Sequence, residues 1–159
     1  MLKLIRCDER LIHGQCMQFI VSDYAIKRII VVDDLTASNP ILKSIFTTAV
    51  PKSIVANVYS INESISEISA SLSDNTNTLL LMKNPRTLVE LRKLVTGLSN
   101  ELNIGPQMAK NGVKCTEYST LHPEDIEACK NLIVDGVRIY FNATGAMGST
   151  TEWKSVIKD

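Results

Sequence analysis

Apolar residues along this chain follow two rhythms. Short runs rich in β-branched residues read as strands: Leu2–Arg6, Arg28–Asp33, Val55–Ser60, Thr78–Met82, Glu101–Ile104, Val113–Glu117 and Val137–Asn142. Between them, apolar residues recur at helical spacing. Ile61, Ile65, Ile68 and Leu72 form one stripe, and Leu88, Leu91, Val95 and Leu98 form another. Boundary residues agree with this division. Ser38-Asn39-Pro40 supplies a cap and then a proline suited to a first helical turn. Pro123 opens a further helix, with Glu124, Asp125 and Glu127 at its positive end and Gly136 past its last turn. Ser149-Thr150-Thr151-Glu152 fits a capping box for a short last helix containing Trp153.

Strands joined by helical crossovers must pair in parallel, because a tight hairpin cannot reach a parallel neighbour. The expected fold is therefore α/β: a doubly wound, mostly parallel seven-stranded sheet with helices on both faces. With no linker, repeat or low-complexity tract, residues 1–159 are expected to form a single domain. In such sheets ligands sit where strands end and helices begin. This directs attention to the loops Cys7–Gly14, Asp33–Asn39, Lys83–Arg86 and Ile104–Gly112.

Charge and composition narrow the partners. Seventeen basic and seventeen acidic residues cancel, which argues against a nucleic-acid binder. The apolar runs Ile29–Val32 and Leu79–Met82 are far shorter than a membrane span. Charges at positions 3, 6, 8, 9 and 10 interrupt any signal-like start. Cys7, Cys16, Cys115 and Cys129 contain no CxxC pair and read as reduced thiols. The expected location is the cytoplasm.

The loop after the first strand concentrates the chemistry. Arg6-Cys7-Asp8-Glu9-Arg10-Leu11-Ile12-His13-Gly14-Gln15 holds two arginines, two carboxylates and an imidazole. An imidazole titrates near neutral pH and serves as both nucleophile and leaving group. Phosphoryl transfer requires mainly positioned positive charge around the moving oxygens. Arg10 and Arg6 are candidates for that charge, with forked donors matched to phosphate. A helix beginning near Gly14 would add free amides. Asp8 or Glu9 would orient an arginine or the unreactive imidazole nitrogen. The plainer alternative is a hydrogen-bonded structural histidine beside surface ion pairs of little energetic weight.

That decapeptide resembles the active loop of the mannose/fructose/sorbose-class IIB subunits of the bacterial sugar phosphotransferase system. The resemblance extends along most of the chain. It includes Arg28–Asp34, Lys83-Asn84-Pro85, the Asn103-Ile104-Gly105 turn, and the stretch from Leu121 through Glu124-Asp125-Ile126 and Leu132 to Gly136-Val137. It implies that His13 accepts a phosphoryl group on Nδ1 from a phosphorylated IIA domain. It further implies that His13 passes the group to a sugar bound by the membrane subunits IIC and IID. Arg10 and Asp8 would stabilise the phosphohistidine and transition state, and Arg6, Glu9, Gly14 and Gln15 would support the phosphate loop. The resemblance implies no metal and no cofactor, places the chain transiently at the inner face of the membrane, and leaves a homodimer open. The chain departs from the family pattern at Cys7, Glu9 and Phe19-Ile20. It departs again at Pro106 and at Asn142-Ala143-Thr144-Gly145, which together bear on the rim of the site.

Other readings compete. Asp33-Asp34 and Lys83 loosely match a response-regulator receiver, but no phospho-accepting Asp ends the third strand, near Ser60-Ile61-Asn62. Cys16, three residues past His13, invites a thiol mechanism. Cys7, His13 and Cys16 invite a metal, yet no second ligand cluster follows. Gly105–Gly112 and Gly145–Gly148 match no nucleotide fingerprint. A pure interaction module would leave two arginines beside a histidine at a strand end without a purpose.

Overall fold

Strand β1 (Leu2–Cys7) is followed by α1 (Gly14–Asp23), β2 (Arg28–Val32), α2 (Asp34–Ala37), α3 (Pro40–Thr48), β3 (Val55–Tyr59), α4 (Ile61–Ser73), β4 (Thr78–Met82) and α5 (Pro85–Leu94). The second half contains β5 (Glu101–Ile104), β6 (Gln107–Met108), β7 (Val113–Thr116), β8 (Ser119–Leu121), α6 (Pro123–Val134), β9 (Arg138–Phe141), β10 (Thr151–Glu152) and α7 (Trp153–Val156). These elements come from a computed structural model that describes residues 1–158, the side chains of Gln15 and Cys16 excepted.

The main sheet has seven strands in the order β10-β9-β5-β1-β4-β2-β3. All its pairings are parallel except the β9–β10 edge. Every residue of β4 is buried, as expected of a strand covered on both faces. Alternation along the strands divides the core in two. Ile5, Cys7, Ile30, Val32, Leu80 and Met82 face α4, α5 and α6. Leu4, Ile29, Val31, Leu79 and Leu81 face α1 and the α3 side. Helices thus cover both faces of the sheet, and the fold is a doubly wound single domain.

Each of the seven expected strands exists, yet the seventh strand of the main sheet is a different one. Val113–Thr116 pairs with β8 in a separate three-stranded sheet, ordered β6-β8-β7. Its exposed Val113 and Lys114 are incompatible with a covered central strand. The seventh position is filled by Thr151–Glu152, two residues that pair antiparallel with Phe141 and Tyr140. This corrects the expected capping box. Glu152 is the N-cap of α7 with no side-chain cap bond, because its carboxylate is engaged by Arg138 across the sheet edge. Helix α5 stops at Leu94. Val95 turns extended, and Gly97 takes φ +91, so Val95 and Leu98 are buried by a turn rather than by a longer helix.

Topology positions the site. From β1 the chain crosses towards β2, while from adjacent β5 it proceeds towards β9 on the other side. Their carboxyl ends therefore flank a crevice of the kind in which such sheets bind ligands.

Candidate functional site

The loop after β1 is pinned at both ends. The Asp8 amide donates to the Met82 carbonyl at 2.9 Å, and the Leu11 amide donates back to the Asp8 carbonyl at 2.9 Å. This tight turn holds Leu11 at φ +54, a left-handed conformation that is costly for a leucine. Burial of the Leu11 side chain offsets that cost. The turn then delivers His13 to the N-cap of α1 in an extended conformation.

His13 forms no side-chain cap bond. Its Nε2 lies 3.0 Å from Asp8 Oδ2 instead. A carboxylate only accepts, so Nε2 carries the proton and donates it. Nδ1 is left with the lone pair and, among the described residues, without a partner. The ring is mostly enclosed, its side chain 17% exposed, and His13 directly precedes the first turn of α1.

Asp8 is fully buried and engaged on every side. It accepts from the Arg6 guanidinium (3.1 Å), the Arg10 amide (3.1 Å) and His13 Nε2. Arg10 Nε lies 3.6 Å from Asp8 Oδ1, but the Arg10 side chain is 49% exposed. The loop thus brings together Arg6, Asp8, Arg10 and His13, of which only Arg10 and His13 reach the surface.

Arg6 requires a correction. Sequence reasoning set it beside Arg10 as a cation for phosphate, whereas it is buried completely. Its Nη1 donates to Asn103 Oδ1 and, at 2.9 Å, to the Asn142 carbonyl. Its Nη2 donates to Asp8 and, at 3.1 Å, to the Ala143 carbonyl. Those donors are occupied, so Arg6 holds Asp8 from behind. Glu9 turns away as well: it accepts from the Met108 amide at 2.9 Å and fastens the loop to β6. Gly14 is the exposed first residue of α1, and an added Cβ there would meet nothing within 4 Å. Gln15 follows in the same turn, its side chain lying outside the described residues.

Several supporting residues carried only weak sequence signals. Asn103 binds Arg6, and Gly105 makes room for it, since a Cβ at Gly105 would fall 2.6 Å from Arg6 Cζ. Asn142 shapes the opposite rim. Its Oδ1 accepts from the Thr144 and Gly145 amides at 3.0 and 2.7 Å, and its Nδ2 donates to the Ala146 carbonyl at 2.7 Å. Gly145 takes φ +77 there, tight against Ile20. The stretch that departs from the family pattern is therefore the carbonyl cradle of Arg6.

The competing residues are otherwise employed. Asp33 caps α2 through the Thr36 amide (3.0 Å) and meets Lys83 Nζ at 3.0 Å. Burial pushes its carboxyl upward, but hydrogen bonds from Thr36 and Lys83 outweigh this and hold it below the usual range. Asp34 accepts from the Ile61 amide at 2.8 Å. Burial pushes the Cys7 thiol well up, with Cys129 and Asp125 adding to it. Cys7 also belongs to the core on the α5–α6 side, away from α1. Cys16 falls outside the described side chains.

Comparison with known proteins gives a consistent pattern. A family model described as the sorbose-subfamily IIB component of the phosphotransferase system matches residues 2–159. The sorbose-specific EIIB component of Lacticaseibacillus casei is 29% identical over 137 residues, 86% of this chain and 83% of that protein. The mannose-specific EIIAB component of Escherichia coli (strain K12) is 28% identical over 139 residues, 86% of this chain but 42% of that longer protein. The crystal structure of an N-acetyl-galactosamine IIB component from Streptococcus pyogenes superposes with a TM-score of 0.85 at 27% identity, covering 98% of this chain and 97% of that one.

Proposed function

The chain belongs to the sorbose-subfamily IIB components of the phosphotransferase system, sugar-specific phosphotransferases, and from that premise we propose that it carries its phosphoryl group on His13 Nδ1. One observation carries the reading: Asp8 holds Nε2 at 3.0 Å, leaving Nδ1 as the available nucleophile beside the start of α1.

In the first step Nδ1 attacks phosphorus on a phosphorylated IIA domain, and the donor's bond to phosphorus breaks. The imidazole gains positive character as the new bond forms, and Asp8 stabilises it across Nε2–H. Arg10, half exposed and anchored at its backbone, supplies the fork that meets the equatorial oxygens. The amides of Gly14 and Gln15 supply further donors, and the bare Cα of Gly14 leaves them uncovered. In the second step a sugar hydroxyl, presented by the membrane subunits IIC and IID, attacks phosphorus and gives up its proton to solvent. The Nδ1–P bond breaks and its electron pair returns to the ring. No metal enters either step. Among the described residues no helix is long and apolar enough to cross a membrane. The proposed location is the cytoplasm, with transient visits to the inner membrane face.

Incubation with a phosphorylated IIA domain should give an acid-labile, alkali-stable adduct mapping to Leu11–Gln15, with nitrogen chemical shifts of an Nδ1-phosphohistidine. An adduct that survives His13→Ala would reject the assignment.

A further inference from the structure

A second concave feature lies at the other end of the sheet. It is a groove of about 1010 Å³ bounded by the last turns of α6, the start of β9, and α7. Ile133, Val134, Trp153 and Ile157 make its apolar lining. Val134 is 85% exposed, although it belongs to a stable helix end. Lys130, Lys154 and Lys158 rim the groove, and among the described residues none of the three forms an ion pair. Arg138 is matched by both Glu101 and Glu152, a trio with one excess negative charge, and the three lysines outweigh it to leave the rim net positive.

We infer that this groove binds an acidic amphipathic helix of a partner protein, its apolar face on Val134 and Ile157 and its carboxylates against Lys130, Lys154 and Lys158. The groove's open side favours a helix over a small molecule, because small-ligand sites enclose most of their ligand. Its concavity disfavours a membrane, since Trp153 is 4% exposed and has no protruding edge to insert. The rim disfavours a second copy docked by two-fold symmetry, which would face lysines with lysines. The groove is formed at the amino end of β9, whereas His13 follows the carboxyl end of parallel β1. A partner held here would stay bound while His13 exchanges donor and acceptor, raising the effective concentration of whichever subunit carries that helix.

Trp153 is the only tryptophan in the chain and stacks on Phe141 with centroids 6.0 Å apart, so its fluorescence reports directly on the groove. The probe is a synthetic 18-residue helix with leucines along one face flanked by glutamates. A second peptide replaces every glutamate by lysine, and phosphatidylglycerol vesicles and myristate serve as further arms. Titration of the glutamate peptide should saturate the Trp153 signal and weaken with added salt. Lys130→Glu with Lys154→Glu should reduce affinity at least tenfold, and Val134→Asp should do so independently. Both variants should keep the native melting profile and unchanged phosphorylation of His13. Equal binding of the lysine peptide, indifference to the charge reversal, or a response only to vesicles or to myristate would each overturn the proposal.

Discussion

Arg6 and Arg10 stand four residues apart and carry the same charge, but they belong to different ledgers. Arg10 is half exposed, so Arg10→Ala should leave the melting profile nearly unchanged. Under the proposed mechanism its loss removes a cation from the moving phosphoryl group, ~2–4 kcal/mol of transition-state stabilisation, or about 30- to 1,000-fold in transfer rate. Arg10→Lys should recover only part of that rate, because a point charge cannot hold two oxygens in a fork. Arg6→Ala should instead leave Asp8 without its buried counter-charge and cost about 3–5 kcal/mol of folding stability, read as a lower urea midpoint. Rapid-quench transfer assays and denaturation curves on both variants test the division. Unchanged transfer in Arg10→Ala, or unchanged stability in Arg6→Ala, would show that the two roles are assigned wrongly. The sequence distinguished these arginines poorly, since residue type and spacing say nothing about depth. What separates them is Asn103, Gly105 and the Asn142–Ala143 carbonyls, up to 137 residues away along the chain, and no local pattern brings those together.

Elements were legible in proportion to how much of their pattern is local. Helix α4 was plain from its apolar stripe, and its capping box is present, Ser60 accepting from Glu63. Strand β10 was not, because two polar residues become a strand only when β9 provides an edge. Helix α2 is a similar case, four residues long and dependent on one side chain. Asp33 accepts from Thr36 Oγ1 at 2.6 Å and from Lys83 at 3.0 Å, so it joins the ends of β2 and β4 to the α2 cap. Its carboxyl is held below the usual range. The stability it contributes is therefore present above the unfolded carboxylate pKa, about 3.9, and is lost as pH falls through the lower folded value. Asp33→Asn keeps a capping oxygen but neither the charge nor the titration, while Asp33→Ala also loses the cap, typically about 1 kcal/mol. Urea midpoints at pH 7 should rank wild type above Asn and Asn above Ala. The gap between wild type and Asn should narrow as pH drops below about 4. A gap that widened with acid would mean that the carboxyl is not held down in the folded state.

At the scale of the molecule, the doubly wound sheet supports the proposed phosphoryl site and, among the described residues, no evident sugar site. The crevice between the carboxyl ends of β1 and β5 is filled from beneath by Arg6 and closed by the Asn142–Gly145 cradle, leaving His13 and Arg10 as the reactive groups that reach outward. The only tryptophan, the side chain best suited to stack on a sugar ring, is committed to α7 and Phe141. A carrier of this kind must meet its donor and its acceptor in turn through the same imidazole. Each contact must therefore be short-lived, since a tightly held donor would block the acceptor. Accordingly, the isolated chain should show no calorimetric binding of mannose, fructose, sorbose or amino sugars. The phosphorylated chain should keep its phosphate when free sugar is added, and release it to sugar only when membranes bearing the matching IIC and IID subunits are supplied. The decisive measurement follows labelled phosphate from the protein to sugar with and without those membranes. Sugar phosphate formed without them would make the chain a sugar kinase in its own right, and would require an acceptor pocket beside His13 that also binds sugar in the calorimeter.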